Sequence, residues 1–193
     1  YASTGSVYGA LNSTCTELSE TNPISKYSEY KLIGEEYSGD NAVIFRPATA
    51  FGVSNRLRND LLVNDFVNQA VNVKELTLFE GHFKRNYIHV RDVSRVFQHA
   101  LNNHDSMKGE IFNVGLSDAN VSKKELCETI QKQLPEFIFI DEQIGKDPDQ
   151  RDYIVSNEKI ESTGFKTEFS LDRGIGELIK GYSMIKNTRY GNV

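Results

Sequence analysis

Short apolar runs of strand length alternate with longer stretches of helical period along most of this 193-residue chain. Ala42–Arg46, Leu76–Phe79, Glu110–Val114 and Phe137–Ile140 read as strands. Before, between and after them, Ile24–Ser38, Leu61–Val71, Val90–Leu101, a stretch ending near Leu134, Ser156–Ser162 and Leu171–Met184 read as helices. Tyr1–Ser3 reads as the end of a further buried strand. A parallel pair of strands needs a crossover between its members, and a helix is the usual one. The alternation therefore predicts an α/β fold built on a parallel sheet.

Local punctuation supports these boundaries. Pro23 precedes the first helix and Gly39 follows it, the usual asymmetry of helix ends. Ser122-Lys123-Lys124-Glu125 has the form of a capping box, which opens a helix. Val90, Val93, Val96, Phe97 and Ala100 fall on one helical face. Pro47–Asn59 reads as a loop.

Composition narrows the function classes. The net charge is -5 and the pI about 5.4, without the basic stripe that nucleic-acid binding asks for. No apolar run has transmembrane length. The start carries no secretory or transit pattern, so a cytoplasmic protein is the expectation. Cys15 and Cys127 have no metal-ligand spacing with the four histidines and are expected to be reduced thiols. No glycine-rich dinucleotide fingerprint occurs anywhere in the chain.

Tyr27 and Lys31 share a face of the first predicted helix. A phenol with a free pKa near ~10 is a poor base, and a neighbouring ammonium favours its ionised form. Such a pair can take a proton from a sugar hydroxyl as a hydride leaves the same carbon. The motif alone is weak, because Tyr182 and Lys186 repeat it near the C-terminus. That second pair is expected to lie on a helix surface away from any chemistry. Context separates the two: Tyr27 follows STGSVYG at a strand exit, where open α/β sheets hold their ligands. A hydroxyl on Thr4 could hydrogen-bond the reacting oxygen there.

The ordered set STGSVYG, PISKYSEYKLIGEE, RPATAFG and KRNYIHVRDV, followed by GEIFNVG and DPDQRDYIVSNEKIESTGF, resembles the extended short-chain dehydrogenase family of nucleotide-sugar epimerases and dehydratases. The resemblance covers nearly the whole chain. It implies the C-terminal part of a Rossmann-type doubly wound parallel sheet with a small α/β substrate-binding domain. Residues 1–52 would end the Rossmann-type domain and carry the Tyr/Lys helix. Residues 53–193 would mainly bind the sugar nucleotide, with segments around 85–115 returning to the Rossmann sheet.

The resemblance also implies site roles. Thr4, Tyr27 and Lys31 would be catalytic, and Ser3, Tyr27, Lys31, Pro47 and Ala48 would line NAD or NADP. Thr49, Leu62, Phe79, Arg85, Lys146, Asp149 and Arg151 would hold the nucleotide sugar. The backbone at Leu62 would face the diphosphate, Phe79 would pack near the base, and Arg85 would grip phosphate as a bidentate fork. Thr49 departs from the asparagine usual in relatives, and Lys146 from their arginine. Phe79 reads equally well as a core aromatic, and His89, in an apolar run, as a structural histidine. No metal site is expected.

Relatives that dehydrate their sugar carry an Asp-Glu pair after the catalytic threonine, where Gly5-Ser6 stands here. Those that epimerise at C3 and C5 carry a cysteine near Ser6, which is absent. The reading left is 4-epimerisation through a transient 4-keto sugar, with reduction of a 4-keto-6-deoxy sugar as the alternative. A non-catalytic sugar-nucleotide binding module is the reading from another class. The family implies a homodimer joined partly through Ile24–Ser38, often in polysaccharide or activated-sugar synthesis. The glycine-rich loop would precede Tyr1. These 193 residues alone are therefore expected to be inactive, to bind no NAD and not to remain monomeric.

Overall fold

The computed structural model describes residues 1–10, 13–142, 145 and 152–185. In chain order the elements are β1 (Thr14–Cys15), α1 (Lys26–Tyr37), β2 (Ile44–Pro47), β3 (Thr49–Phe51), α2 (Leu62–Asn72), β4 (Glu75–Phe79) and β5 (Lys84–His89). There follow α3 (Val90–Asn102), α4 (His104–Met107), β6 (Ile111–Val114), β7 (Asn120–Ser122) and α5 (Lys123–Gln133). The described chain closes with β8 (Ile138–Glu142), β9 (Ile154–Val155), α6 (Glu158–Ser162) and α7 (Leu171–Met184). The fold is α/β with parallel sheets, as the alternation predicts.

Tyr1–Ser3, β2 and β6 run parallel side by side. Ser3 N–H donates to the Phe45 carbonyl at 2.7 Å, and Phe45 N–H to that of Tyr1 at 2.9 Å. On the other side Ile44 pairs with Ile111 and Pro47 with Val114. The apolar side chains of this sheet meet α3 in a core of Val43, Phe45, Ile88, Val96, Phe112 and Val114. A second core joins α2, α5 and α7 to β4 through Phe66, Leu78, Leu126, Ile130, Phe137 and Leu178. Burial of a large apolar side chain contributes about 1.5–3 kcal/mol, and such contributions hold these layers together.

Two expectations need correction. Pro47–Asn59 is not wholly loop, because β3 lies within it and pairs in parallel with β5, Thr49 opposite Tyr87. Its three residues follow Pro47 too closely to show a period. β5 itself escapes a strand reading because charged Lys84 and Arg85 open it, yet five of its six residues are buried. It also pairs with β7, antiparallel, with Arg85 opposite Val121. The second correction is Tyr182, which is only 5% exposed in the α7 core, with its hydroxyl donating to Asn59 Oδ1 at 2.8 Å. Burial pushes that phenol's pKa up. Lys186 lies outside the described residues.

The helix ends follow the sequence signals. At α5, Ser122 and Glu125 form both halves of the capping box. α1 begins two residues later than its periodicity suggests, because Ser25 caps it with Ser28 as the reciprocal partner. Gly39 adopts φ +70° just past its end, a conformation open to glycine at little cost. Cys15 and Cys127 are free and buried, and burial pushes their thiols up to about 11 and about 12.

Candidate active site

Because Tyr1–Ser3, β2 and β6 are parallel, they leave the sheet at one edge, which brings Thr4, Pro47 and Gly115 to the same side. Ala48 N–H donates to the Val114 carbonyl at 2.8 Å, which fixes the Pro47–Ala48 exit against β6. This carboxyl edge is where open α/β sheets carry ligands.

Thr4 caps a 3-10 turn, Gly5–Tyr8. Its Oγ1 accepts from Ser6 N–H at 3.2 Å, which leaves the hydroxyl proton to donate outward. The turn closes at Gly9, where φ is +69° and a Cβ would stand 2.1 Å from the Asn22 carbonyl oxygen. At Gly5 a Cβ would come to 3.3 Å from the Pro47 carbonyl oxygen, so the turn lies against the β2 exit.

α1 supplies the other two groups. Lys31 Nζ donates to the Ala2 carbonyl at 2.7 Å and lies 5.9 Å from the Tyr27 ring centroid and 5.3 Å from that of Tyr1. Tyr27 is 57% exposed, so its hydroxyl can be reached from outside. The ammonium thus lies between the helix and the strand that ends in Ser3 and Thr4. It can hold a neighbouring hydroxyl or oxyanion by charge-assisted hydrogen bonds.

Beneath these groups runs a buried polar network that the sequence reading missed. Glu35 accepts from the Ser3 hydroxyl and from Arg46, Nε at 2.9 Å and Nη2 at 2.6 Å. Arg46 Nη1 donates to Tyr8 Oη at 3.1 Å, and that hydroxyl donates to Asn113 Oδ1 at 2.6 Å. Burial opposes the Arg46 charge, but the bonds to Glu35 and Tyr8 outweigh it and its pKa is raised. Burial pushes the Tyr8 phenol up as well. A signal existed: an arginine inside the apolar run Ala42–Arg46 demands a buried partner.

The expected substrate residues that the structure describes fall on four further elements, β3, α2, β4 and β5. Leu62 opens α2, whose N-cap residue Leu61 makes no side-chain capping bond. Phe79 ends β4 and is 38% exposed, so it is no core aromatic. A cavity of about 390 Å³ lies between these elements, lined in part by Asp65, Gln69, Thr77, Phe79 and Lys123. Lys123 is nearly fully buried, and its Nζ donates to the Phe79 carbonyl at 2.9 Å. Arg85 is 3% exposed; it donates to the Lys84 carbonyl at 3.1 Å and lies over the Tyr153 ring. Thr49 is half-buried in β3. Lys146, Asp149 and Arg151 lie outside the described residues.

His89 is fully buried, capping α3 and stacked on Phe169 at 4.6 Å. Its Nδ1 accepts from Arg91 N–H at 3.2 Å, and Nε2 stands 3.4 Å from Glu177. Burial lowers its pKa, with the Glu177 charge opposing. Among the described residues, no cluster of His, Cys, Asp or Glu could hold a metal ion, and no helix is long and apolar enough to cross a membrane.

Residues 1–115 match the model of the NAD dependent epimerase/dehydratase family. The chain belongs to this family. A protein of Methanocaldococcus jannaschii, provisionally named a UDP-glucose 4-epimerase, is 27% identical over 191 residues, covering 92% of this chain and 60% of that relative. This family member therefore spans less than two thirds of that relative's length. Its fold is similar to that of RMD from Pseudomonas aeruginosa, solved with NADPH, with a TM-score of 0.79, 19% identity and coverage of 94% and 65%. It is equally similar to UDP-glucuronic acid 4-epimerase from Bacillus cereus, solved with UDP-glucuronic acid and NAD, with a TM-score of 0.79, 23% identity and coverage of 94% and 60%. These likenesses give the epimerase/dehydratase family member a Rossmann-type fold.

Proposed function

We propose that the complete protein containing this chain is an NAD(P)-dependent nucleotide-sugar 4-epimerase, with a UDP-hexose as its substrate class. The observation that carries the reading is the position of Lys31, whose ammonium bridges the Tyr27 helix to the backbone beside Thr4. The names of the M. jannaschii relative and of the B. cereus structure support the reaction and the uridine nucleotide. The cofactors in the two solved neighbours support a nicotinamide group, either NAD or NADP.

The residues present fit the nicotinamide end of such a cofactor. Ser3, Pro47 and Ala48 line the sheet edge, and Gly5 keeps the approach beside the Pro47 carbonyl free of a side chain. Lys31 would hold a ribose hydroxyl. Bound NAD(P) would supply the acceptor and donor of the C4 hydride. Tyr27 Oη takes the proton of the sugar 4-hydroxyl as the carbonyl forms, and returns it when the C4–H bond is remade on the opposite face. Thr4 Oγ1 donates to the same oxygen throughout and holds the 4-keto group near the phenol. The uncapped first turn of α2 at Leu62 and the guanidinium of Arg85 would take the diphosphate. Phe79 would face the base at the cavity mouth, with Thr49 toward the sugar. Lys146, Asp149 and Arg151 would complete the nucleotide site from beyond the described residues.

The reading includes a cytoplasmic homodimer. Tyr30, Ile33 and Tyr37 form an exposed stripe along α1, 68%, 44% and 86% accessible, suited to a second copy of that helix.

The test is an isotope experiment on the complete protein. With deuterium at C4 of a UDP-hexose, the epimerase reading expects label at C4 of both epimers and no net change in the cofactor. Net consumption of reduced cofactor by a 4-keto substrate, with no epimer formed, assigns the reductase instead. Tight binding without turnover of either substrate assigns the binding module.

A further inference from the structure

Glu35 is placed to touch neither proposed proton-transfer group, yet it joins the segments that carry them. It stands four residues after Lys31 and eight after Tyr27, on the same face of α1. Its carboxylate accepts from the hydroxyl of Ser3, the residue before Thr4, and from two nitrogens of Arg46, the residue before Pro47. Arg46 continues to Tyr8, the last residue of the Thr4-capped turn, and Tyr8 continues to Asn113 at the end of β6. The Thr4 turn is thus tied at both ends, Ser3 through Glu35 and Tyr8 through Arg46.

Stability alone is a poor reason for this arrangement. Both side chains of the pair are 5% exposed or less. The desolvation of a buried ion pair roughly cancels its attraction, and a well-packed apolar pair often does as well or better. What a saturated buried network does supply is one fixed geometry.

We propose that Glu35 and Arg46 are positioning residues that set α1, the Thr4 turn and the Pro47–Ala48 exit relative to one another for proton transfer. The inference rests on the site reading given above. Without the carboxylate, α1 loses its tie to Ser3 and Arg46, and Lys31 loses its fixed place on the Ala2 carbonyl. A displacement of about 1 Å in such a site costs on the order of 10²-fold in rate.

The test uses the complete protein with a UDP-hexose. Glu35→Gln is expected to lower kcat by about 10²-fold with KM within about twofold, and Glu35→Asp to recover part of the loss. The double variant Glu35→Leu/Arg46→Leu removes both charges and guards against misfolding. It should unfold no more easily than Glu35→Gln, while its kcat stays low. A folded double variant with wild-type kcat overturns the proposal, as does a Glu35→Gln protein that loses only thermal stability. Two controls separate this idea from the reading beneath it. Tyr27→Phe with wild-type turnover removes the site reading, and the positioning idea is then judged on a crystal structure of Glu35→Gln. A Lys31 Nζ–Ala2 carbonyl separation clearly beyond 2.7 Å supports it, and an unchanged one overturns it.

Discussion

Tyr182→Phe tests whether the second Tyr-x-x-x-Lys pair belongs to the core or to chemistry. The substitution keeps the ring in its packing and removes only the hydroxyl. That hydroxyl donates to Asn59 Oδ1 at 2.8 Å, a half-buried bond between α7 and the loop before α2. A neutral hydrogen bond of this kind contributes about 0.5–1.5 kcal/mol, and water can partly replace it at Asn59. The expected loss is therefore about 1 kcal/mol, or about 2–4 °C in Tm for a domain of this size. Urea unfolding of the complete protein and its Tyr182→Phe variant, with steady-state kinetics on both, supplies the two readouts. Stability should fall by that amount, and kcat should stay within about twofold of wild type. An unchanged stability would contradict the core hydrogen bond. A rate loss near 10²-fold would instead assign an acid/base role to Tyr182.

Arg85→Ala should weaken nucleoside-diphosphate binding by about 1.5–3 kcal/mol, the range for a charge-assisted hydrogen bond. Calorimetry with UDP on protein shown to be folded checks it, because a side chain only 3% exposed also supports β5, and unchanged affinity removes Arg85 from the phosphate site. His89 should make the fold acid-sensitive: its folded pKa lies below its unfolded value near 6.5, so the unfolded chain binds the extra proton and stability falls as the pH drops below about 6.5. Urea midpoints measured across that range should be flatter in His89→Gln, and an equal slope in both proteins would remove His89 as the cause.

The legible parts of the fold were those with a period long enough to read. α7 has the same bounds in sequence and structure, because its apolar positions recur over four turns. The capping box at Ser122 fixes the start of α5 to the residue. The short strands were harder: β3 has three residues and β7 has three, fewer than a two-residue alternation needs to declare itself. Tyr182 reads as a surface residue because a lysine follows it four positions later in the sequence, whereas its ring packs in the same core as Leu178 and Ile175. At the site, motif order singled out Thr4, Tyr27 and Lys31, and Lys31 stands between the other two segments. The Glu35–Arg46 network could not be read the same way. Its members come from Ser3, Tyr8, α1, β2 and β6, and only the parallel order of the strands brings them together. The burial of Lys123 has no signal in the capping-box pattern that contains it, which speaks only of a helix start.

In the proposed reaction Tyr27 moves the proton of the sugar hydroxyl while other groups bind the nucleotide. Turnover and affinity of Tyr27→Phe in the complete protein test it most directly. The expected kcat is lower by about 10²–10⁴-fold, with the dissociation constant for a UDP-hexose nearly unchanged. A kcat within about twofold of wild type would contradict it.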